Sequence, residues 1–223
     1  MEGNVTMAFF FRPEPKMVTP EEALKGGRHP VLESPQPHTV LGTPITGPWK
    51  EGQKRVWIGL GCFWGVEQMY WKMDGVESTS VGYAGGYTPN PTYREVCSGR
   101  TGHTEIVEVV YDPEKITLAE LVARGLEAHD PTQGYRQGND VGTQYRSAFY
   151  VETGEEAETV RQIVSTYGET LKSHGFGEIT TEVDVITPAD YYLAEDYHQQ
   201  YLHKNPDGYC PHHSTGIPCG VEA

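Results

Sequence analysis

The sequence lacks the features that mark membrane proteins and nucleic-acid-binding proteins. No stretch approaches the roughly 18 consecutive apolar residues of a membrane-spanning helix. Positive charge is scarce, with 17 Lys and Arg against 31 Asp and Glu and a formal net charge of -14. Because such a chain has no basic surface for a polyanion, we expect it to bind neither nucleic acid nor a membrane.

The chain also lacks the cysteine content of a disulfide-stabilised secreted protein. It has 4 cysteines among 223 residues. The apolar residues 8–11 are too few for a signal peptide, whose apolar region has about 7–15 residues. We therefore expect a cytoplasmic protein whose cysteines are catalytic, metal-binding or inert. Aromatic residues make up 11% of the chain, which excludes wholesale disorder.

Proline is concentrated at the beginning of the chain. Eight of the 16 prolines fall within residues 1–50. We predict a proline-rich arm over residues 1–54, without regular structure apart from a short turn at 21–24. A compact domain is predicted over 55–206, followed by an irregular tail over 207–223.

Hydrophobic patterning within the compact domain predicts strands that alternate with helices. The predicted strands are 56–60, 78–83, 104–111, 147–152 and 179–187, and the predicted helices are 63–73, 117–129, 160–171 and 189–204. No helix is predicted in the Gly- and Pro-rich loop 84–103, and the polar segment 130–144 is predicted as a long functional loop. This mixture indicates an α+β fold in which helices pack on a small, mixed or antiparallel sheet.

Cys62 is a candidate reactive residue because it lies where a predicted strand ends and a predicted helix begins. Backbone N–H groups and the helix dipole at such a point favour a thiolate. Lowering a thiol pKa from about 8.5 to about 7 raises its ionised fraction at pH 7 roughly 15-fold. Gly61 and Gly65 allow a tight turn and the approach of a ligand, and Phe63 and Trp64 add aromatic surface. For Cys62 taken alone, a buried core cysteine is an equal alternative.

The compact domain contains five specific sequence motifs. They are GCFWG at 61–65, GGYTPNPTY at 85–93, GHTE at 102–105, GNDVGTQYRS at 138–147 and AEDYHQQYL at 194–202. In this order they strongly resemble the A class of peptide methionine sulfoxide reductases, over roughly residues 55–210. The resemblance implies a two-layer α/β sandwich with a small mixed sheet. It also implies thiol-dependent reduction of methionine S-sulfoxide, free or in proteins, as a repair of oxidised proteins.

The resemblance also implies a role for each candidate site residue. Cys62 would be the nucleophile, and Glu105 would be the acid near the sulfoxide oxygen. The remaining candidates would hydrogen-bond that oxygen (Tyr93 and Tyr145), lie near it (Asp140), or hold the substrate methyl group (Phe63 and Trp64).

These residue types suit the chemistry without reference to the family. A sulfoxide sulfur is a poor electrophile until its oxygen is protonated or strongly hydrogen-bonded, so the site needs a thiolate, an acid and neutral donors. A carboxylic acid among Tyr and Trp would have its pKa raised by desolvation. Spacing alone favours simpler roles: Glu105 on the solvent side of a strand, Tyr93 and Tyr145 in loops, and Asp140 in an Asx-turn.

Two further cysteines, Cys210 and Cys219, lie in the tail. The resemblance implies that Cys210 resolves a sulfenic acid on Cys62, that Cys219 then attacks the resulting disulfide, and that thioredoxin or a similar thiol reductant re-reduces the chain. Nine residue steps separate the two cysteines, enough for about 30 Å of extended chain. Two prolines and two histidines lie between them, where the family often has glycine.

Alternatives to this interpretation remain open for the tail and for the reaction. The tail could hold zinc through Cys210, Cys219 and either His212 or His213, although no C-x-x-C pair is present. A Cys-His-Asp hydrolase or acyltransferase built on Cys62 would leave the tail cysteines unexplained.

The remaining cysteine and two histidines of the compact domain are predicted to play no part in the reaction. Cys97 is predicted to be a small buried hydrophobe, and His198 and His203 are predicted to lie on the surface. We expect a monomer without a metal or an organic cofactor.

Overall fold

The computed structural model describes residues 14–210 and 213–220. The predicted arm and tail extend beyond these ranges: residues 1–13, 211–212 and 221–223 lie outside the described part of the chain. His212, one of the alternative zinc ligands, is among them.

The described residues contain eight strands, which form a six-stranded sheet and a separate two-stranded sheet. They are β1 (Lys54–Leu60), β2 (Val76–Ala84), β3 (Thr104–Tyr111), β4 (Arg136–Gln137), β5 (Asp140–Val141), β6 (Ser147–Val151), β7 (Glu182–Val185) and β8 (Tyr192–Leu193). The large sheet has the order β7-β6-β1-β3-β2-β8, and β4 pairs with β5. The β6–β7 pair is parallel and the other pairs are antiparallel. The predicted α+β fold with a small mixed sheet is confirmed.

Within 14–210 and 213–220, five α-helices accompany the sheet. They are α1 (Phe63–Trp71), α2 (Tyr93–Cys97), α3 (Leu118–Ala128), α4 (Gly154–Ser173) and α5 (Tyr201–Lys204). Three short 3-10 helices cover Thr143–Tyr145, Pro188–Asp190 and Asp196–His198. The main core lies between one sheet face and α1, α3 and α4, where alternate strand residues such as Ile58, Val107 and Val109 are fully buried. A smaller cluster around Trp57 and Ile106 covers the other face, so the arrangement has two principal layers.

Local sequence signals account for several of the element boundaries. The Thr117 hydroxyl accepts the Glu120 N–H at 3.2 Å, and the Glu120 carboxylate accepts the Thr117 N–H at 2.7 Å. This reciprocal pair satisfies backbone donors that a helix start leaves free. The predicted capping box that begins α3 is therefore confirmed.

The predicted helix over 189–204 is wrong. That segment contains the end of the 3-10 helix Pro188–Asp190, then β8, and then the 3-10 helix Asp196–His198. Its only α-helical residues are the four of α5. Hydrogen bonds to β2 override the helical preference: the Gln199 side chain accepts the Val81 N–H and donates to the Val81 carbonyl. Gln200 then adopts a left-handed conformation at φ 47, which interrupts any continuous helix.

Two predicted loops contain regular structure. The loop 84–103 includes α2, which begins with a capping box between Thr92 and Glu95. The segment 130–144 includes β4, β5 and the beginning of a 3-10 helix. Elements of two to five residues leave no hydrophobic period in the sequence. For the same reason the predicted strand 179–187 was too long, since β7 spans four residues.

The described part of the arm before β1 contains no helix or strand, and it packs on the domain. A turn follows Thr19, whose carbonyl accepts the N–H groups of Glu22 and Ala23 at 3.1 and 3.0 Å. Within the arm, His38 and Ile45 are buried. No helix in the described residues is long and apolar enough to cross a membrane.

Candidate active site

Cys62 occupies the junction between β1 and α1. Gly61 turns the chain with φ +102, and a β-carbon there would lie 2.8 Å from Cβ of Gln137. Only glycine satisfies both constraints without strain. Cys62 immediately precedes the first helical residue, Phe63, and the nearby backbone N–H of Trp64 acts on the pKa of its thiol. The predicted position of Cys62 at a strand-to-helix junction is confirmed.

The electrostatic prediction for Cys62 is wrong for the site without substrate. Burial raises the pKa of the Cys62 thiol well above its usual range, and the negative charges of Glu105 and Asp140 raise it further. The N–H of Trp64 lowers the pKa and does not compensate. A helix N-terminus contributes modestly, whereas desolvation of a charged group shifts a pKa by several pH units. Cys62 is therefore a thiol in the resting site.

Glu105 lies on β3 directly beneath the start of α1. Its side chain is 1% exposed, and its Oε2 accepts the Phe63 N–H at 3.0 Å. Burial raises the pKa of Glu105 to about 8, opposed by the Phe63 N–H and assisted by the charge of Asp140. The carboxyl is thus mainly protonated at neutral pH, as predicted for an acid in an aromatic environment. Its expected alternative, a solvent-facing strand position, is excluded.

Tyr93 and Tyr145 lie within electrostatic range of the Glu105 carboxyl. Tyr93 is the first residue of α2, and its backbone N–H donates to Glu195 at 2.9 Å. Tyr145 ends a 3-10 helix. Burial raises the pKa of both phenols, and the charge of Glu105 raises it further. Both hydroxyls are therefore neutral groups that can donate hydrogen bonds.

Asp140 lies on β5, at the edge of the same site. Burial raises its pKa, while the Tyr209 hydroxyl, 3.3 Å from Asp140 Oδ2, and the nearby His213 lower it. Its charge acts on Cys62, Glu105 and Tyr145. The structure therefore brings Cys62, Glu105, both tyrosines and Asp140 together.

Aromatic side chains form a wall beside Cys62. Phe63 is buried, and the ring of Trp64 stacks on that of Tyr201 with centroids 3.9 Å apart. The Trp64 indole N–H donates to His198 Nδ1 at 3.1 Å. The His198 ring also lies 5.3 Å from Phe63 and 4.4 Å from Tyr93. This wall offers an apolar surface for a methyl group.

His198 belongs to this wall, so its predicted surface position is wrong. It is 1% exposed, and burial lowers its pKa to about 4. Because Nδ1 accepts the Trp64 indole proton, the ring is neutral with its own proton on Nε2. The prediction assumed a continuous helix around His198, whereas the residue ends a 3-10 helix. Its place within the 194–202 motif was the available signal. His203 is exposed, as predicted.

The predicted burial of Cys97 is also wrong. It is exposed rather than buried, as the last residue of α2. Four residues after Tyr93 on the same helix, its thiol hydrogen-bonds to the Tyr93 hydroxyl. An amphipathic pattern cannot be read from a helix of five residues.

The two tail cysteines occupy different environments. Cys210 lies against α1, where a β-carbon on Gly65 would be 3.0 Å from its sulfur, and the Cys62 and Cys210 thiols are within electrostatic range. Cys219 is 8% exposed, packs in the main core, and donates its backbone N–H to Glu127 at 2.7 Å. Burial and Glu127 raise the pKa of Cys219 to about 11. The structure thus brings Cys210, and not Cys219, to the helix of Cys62.

A cavity of about 490 Å³ runs between α1 and α3. Cys62 and Asp140 line one part of it, and Glu127 and Ser214 line another. The tail is fastened beside it, because the Ser214 hydroxyl donates to the Glu127 carbonyl at 2.6 Å. The cavity therefore connects the surroundings of Cys62 with the residue that holds Cys219.

Neither alternative chemistry finds a matching arrangement in the described residues. Within 14–210 and 213–220, no group of three or more His, Cys, Asp or Glu is arranged to hold a metal ion. The buried histidines have other partners: His198 accepts the Trp64 indole N–H, and His129 bonds to Gly125 and Ser147. A histidine paired with Cys62, which a cysteine hydrolase requires, is not among these contacts.

Comparisons with known proteins agree with the geometry. The peptide methionine sulfoxide reductase family model matches residues 54–217. A peptide methionine sulfoxide reductase MsrA of Corynebacterium glutamicum is 83% identical over 217 residues, which cover 97% of this chain and 100% of that protein.

Solved structures extend the similarity to the fold. Methionine sulfoxide reductase A of Corynebacterium diphtheriae has a TM-score of 0.83 at 59% identity, and the match covers 94% of this chain and 100% of that chain. Reduced Mxr1 of Saccharomyces cerevisiae has a TM-score of 0.67 at 36% identity, covering 73% and 92% of the respective chains. The chain therefore belongs to the peptide methionine sulfoxide reductase family and is an oxidoreductase that reduces methionine sulfoxide.

Proposed function

We propose that this chain reduces the S epimer of methionine sulfoxide, free or in proteins, through a sulfenic acid on Cys62. The observation that carries the proposal is the pairing of a Cys62 thiol with a buried Glu105 whose pKa is about 8. A thiol nucleophile and a protonated acid in one water-poor site are what reduction of a sulfoxide needs.

The sulfoxide oxygen faces the Glu105 carboxyl and the hydroxyls of Tyr93 and Tyr145. Glu105 donates its proton to that oxygen, and Cys62 transfers its own proton to the Glu105 carboxylate as its sulfur attacks. The Cys62 sulfur bonds to the substrate sulfur, and the hydroxyl then moves from the substrate sulfur to the Cys62 sulfur. As this new sulfur–oxygen bond forms, the original sulfur–oxygen bond and the sulfur–sulfur bond break, so that methionine leaves and Cys62 carries the oxygen as a sulfenic acid. The substrate sulfur is reduced by two electrons and the Cys62 sulfur is oxidised by two.

The methyl group of the substrate lies on the aromatic wall formed by Phe63 and Trp64. Trp64 is held in place on two sides, by stacking on Tyr201 and by its hydrogen bond to His198. A wall fixed in this way, on one side of a chiral sulfur, distinguishes the two epimers because it leaves only one arrangement for methyl, oxygen and lone pair.

Recycling uses the tail. The Cys210 thiol attacks the sulfenic acid, which forms a Cys62–Cys210 disulfide and releases water. Cys219 then attacks Cys210, restores the Cys62 thiol and leaves a Cys210–Cys219 disulfide for thioredoxin or a similar dithiol. Before this second step the tail must release Cys219 from the core and from Glu127. The related yeast protein Mxr1 has been solved in complex with Trx2.

A chiral assay tests the proposal. Separated R and S epimers of methionine sulfoxide are incubated with the protein and dithiothreitol, and methionine is measured. We expect product from the S epimer alone. Equal rates with both epimers would contradict the proposed site, and product from the R epimer alone would reverse its assignment.

A further inference from the structure

A buried hydrogen-bond network joins the N-terminal arm to the back of the aromatic wall. His38 Nε2, in the arm, lies 2.8 Å from Thr79 Oγ1 on β2, and the Thr79 hydroxyl donates to Glu67 Oε1 on α1 at 3.1 Å. Gln200 donates to the same carboxylate twice, through its backbone N–H at 2.9 Å and its side-chain amide at 2.8 Å. All four side chains are almost completely buried. Segments far apart in sequence therefore meet at one carboxylate.

The protons in this network have a defined order. The backbone N–H groups of Val40 and Leu41 both donate to His38 Nδ1 at 3.1 Å, so Nδ1 carries no proton. The ring proton is on Nε2 and is donated to Thr79, which leaves the Thr79 hydroxyl proton for Glu67. Each of these donors has one acceptor, and the Glu67 carboxylate accepts three hydrogen bonds, one from Thr79 and two from Gln200. A side chain at position 38 without a donor in the place of Nε2 would lose the hydrogen bond to Thr79, which is the first bond of the network.

Gln200 connects the network to the wall through a disfavoured backbone conformation. It has φ 47 and ψ 44, a left-handed region that residues with a β-carbon rarely occupy. Its two hydrogen bonds to Glu67 and a third, from the Thr39 N–H to its Oε1 at 3.2 Å, hold it there. The next residue is Tyr201, whose ring stacks on Trp64. The conformation of Gln200 therefore sets the position of Tyr201, and Tyr201 supports Trp64.

We propose that His38 is a positioning residue for substrate binding, acting through Thr79, Glu67 and Gln200 on Tyr201 and Trp64. It lies in the arm, outside residues 54–217 that match the family model. The inference rests on the proposed role of Trp64 in holding the substrate methyl group. It assigns the arm a function in the reaction, because two neighbouring residues of the arm hold Gln200. His38 acts on it through Thr79 and Glu67, and Thr39 donates to its side chain directly.

Two substitutions at His38 separate its role in the network from its role in the arm. In His38→Gln, the amide nitrogen can reach the place of Nε2 and donate to Thr79. In His38→Asn, the amide oxygen replaces Nδ1 and keeps the turn with Val40 and Leu41, but the side chain is too short to reach Thr79. The proposal predicts a KM close to that of the wild type in the Gln variant and a raised KM in the Asn variant. Simple anchoring of the arm predicts the reverse.

A second pair of variants tests the next member of the network. Thr79→Ser retains the hydroxyl, and Thr79→Val replaces it with a methyl group of similar volume. We expect the KM for methionine S-sulfoxide, at saturating dithiothreitol, to rise roughly 5- to 50-fold in His38→Asn and Thr79→Val, as for a lost buried hydrogen bond. In all four variants kcat should stay within about 3-fold of the wild type, because the reacting groups are untouched. His29→Asn, at an exposed arm histidine, is the control.

A spectroscopic measurement makes the test independent of turnover and of folding losses. The chain has 4 tryptophans, and the indole N–H signal of Trp64 is assigned by its absence in Trp64→Phe. In ¹⁵N spectra recorded below the lowest unfolding temperature of the series, this signal should move in His38→Asn and Thr79→Val. It should stay in place in His38→Gln and Thr79→Ser, and the signal of Trp57 should be constant throughout.

The outcomes are distinct. Equal KM values for His38→Gln and His38→Asn, or an unmoved Trp64 signal in Thr79→Val, would overturn the proposal. If the wild type forms no methionine from the S epimer, the proposed function fails, while the movement of the Trp64 signal still decides whether the arm positions the wall.

Discussion

Replacing Glu105 with Gln tests the acid in the proposed reaction. The Gln side chain has nearly the same shape, and its carbonyl oxygen can still accept the Phe63 N–H that now lies 3.0 Å from Glu105 Oε2. It cannot donate a proton as an acid. Loss of one well-placed stabilising group lowers the rate about 10²- to 10³-fold. We expect a fall of that size in kcat/KM for the S epimer.

The pH dependence of kcat/KM tests whether Glu105 acts in its protonated form. The pKa of Glu105 is raised to about 8 by burial, so the active acid form is present at neutral pH and is lost as the pH rises through 8. The kcat/KM of the wild type should be level between about pH 6 and 7 and should fall about tenfold per pH unit above 8. In Glu105→Gln that decline should be absent, because no proton is left to lose at position 105.

The same substitution should change stability in the opposite direction to activity. Glu105 holds its proton more tightly in the folded chain, with a pKa of about 8 against an ordinary value of 4.5, so its contribution to stability falls as the pH rises between these values. The difference corresponds to at most about 5 kcal/mol at high pH. Urea unfolding should therefore show that Glu105→Gln is more stable than the wild type at pH 8.5, with a much smaller gain at pH 5.

Glu108→Gln is the matched control for both measurements. Glu108 is on the same strand, is also buried, and also has a raised pKa of about 7, but it lies beside Arg55 and Ser80 rather than Cys62. Rates in stopped assays from pH 6 to 9 compare the two variants with the wild type. An unchanged rate in Glu105→Gln, or an equal loss in Glu108→Gln, would refute the assignment of the acid.

Three other predictions concern the thiols. Cys62→Ser should abolish reduction, because a hydroxyl is not a comparable nucleophile at neutral pH; residual activity above a few per cent with dithiothreitol would contradict the assignment. Cys219→Ser should form one equivalent of methionine and then stop with thioredoxin, while dithiothreitol restores much of the turnover. Full thioredoxin-dependent activity would leave Cys210 as the only resolving thiol. Gly65→Ala places a β-carbon 3.0 Å from the Cys210 sulfur, so quenched-flow alkylation should show Cys62–Cys210 disulfide formation slowed several-fold, and an unchanged rate would show that Cys210 reaches Cys62 by another path.

Much of the fold was predictable because its main elements are long and locally encoded. The strand 104–111 and the capping box at Thr117 were identified from alternation and from a helix-start signal. Position alone placed Cys62 at a helix start, and the buried acid at Glu105 followed from the resemblance together with the chemistry of the site. The strand, the capping box and the position of Cys62 depend on neighbouring residues along the chain, whereas the burial of Glu105 depends on the packing of β3 under α1.

The errors arose where contacts between distant segments decide the structure. The segment 189–204 has a helical composition, but pairing of β8 with β2 and the bonds from Gln199 to Val81 override it. The sequence predicts a surface position for His198, because nothing in it shows that the Trp64 indole donates to this ring. The prediction of a thiolate at Cys62 is wrong for the same reason, since the desolvation that raises the pKa of this thiol comes from the packing of distant segments around it.

The raised pKa of Cys62 also bears on how the enzyme restricts its reaction to sulfoxides. A thiol that is not ionised reacts slowly with peroxides and other electrophiles, because the thiolate is the nucleophile. Burial and the charge of Asp140 keep Cys62 in this form. In the proposed reaction it changes only when an oxygen that can accept the Glu105 proton enters the site. In the proposed reaction, the proton transfer that activates the substrate leaves a carboxylate beside Cys62 to take its proton, so activation of the electrophile and of the nucleophile are one event. On this reasoning the perturbed acid and the perturbed thiol act together: an ordinary pKa at Glu105 would remove the proton that activates the substrate, and an ordinary pKa at Cys62 would expose the sulfur to oxidation without substrate.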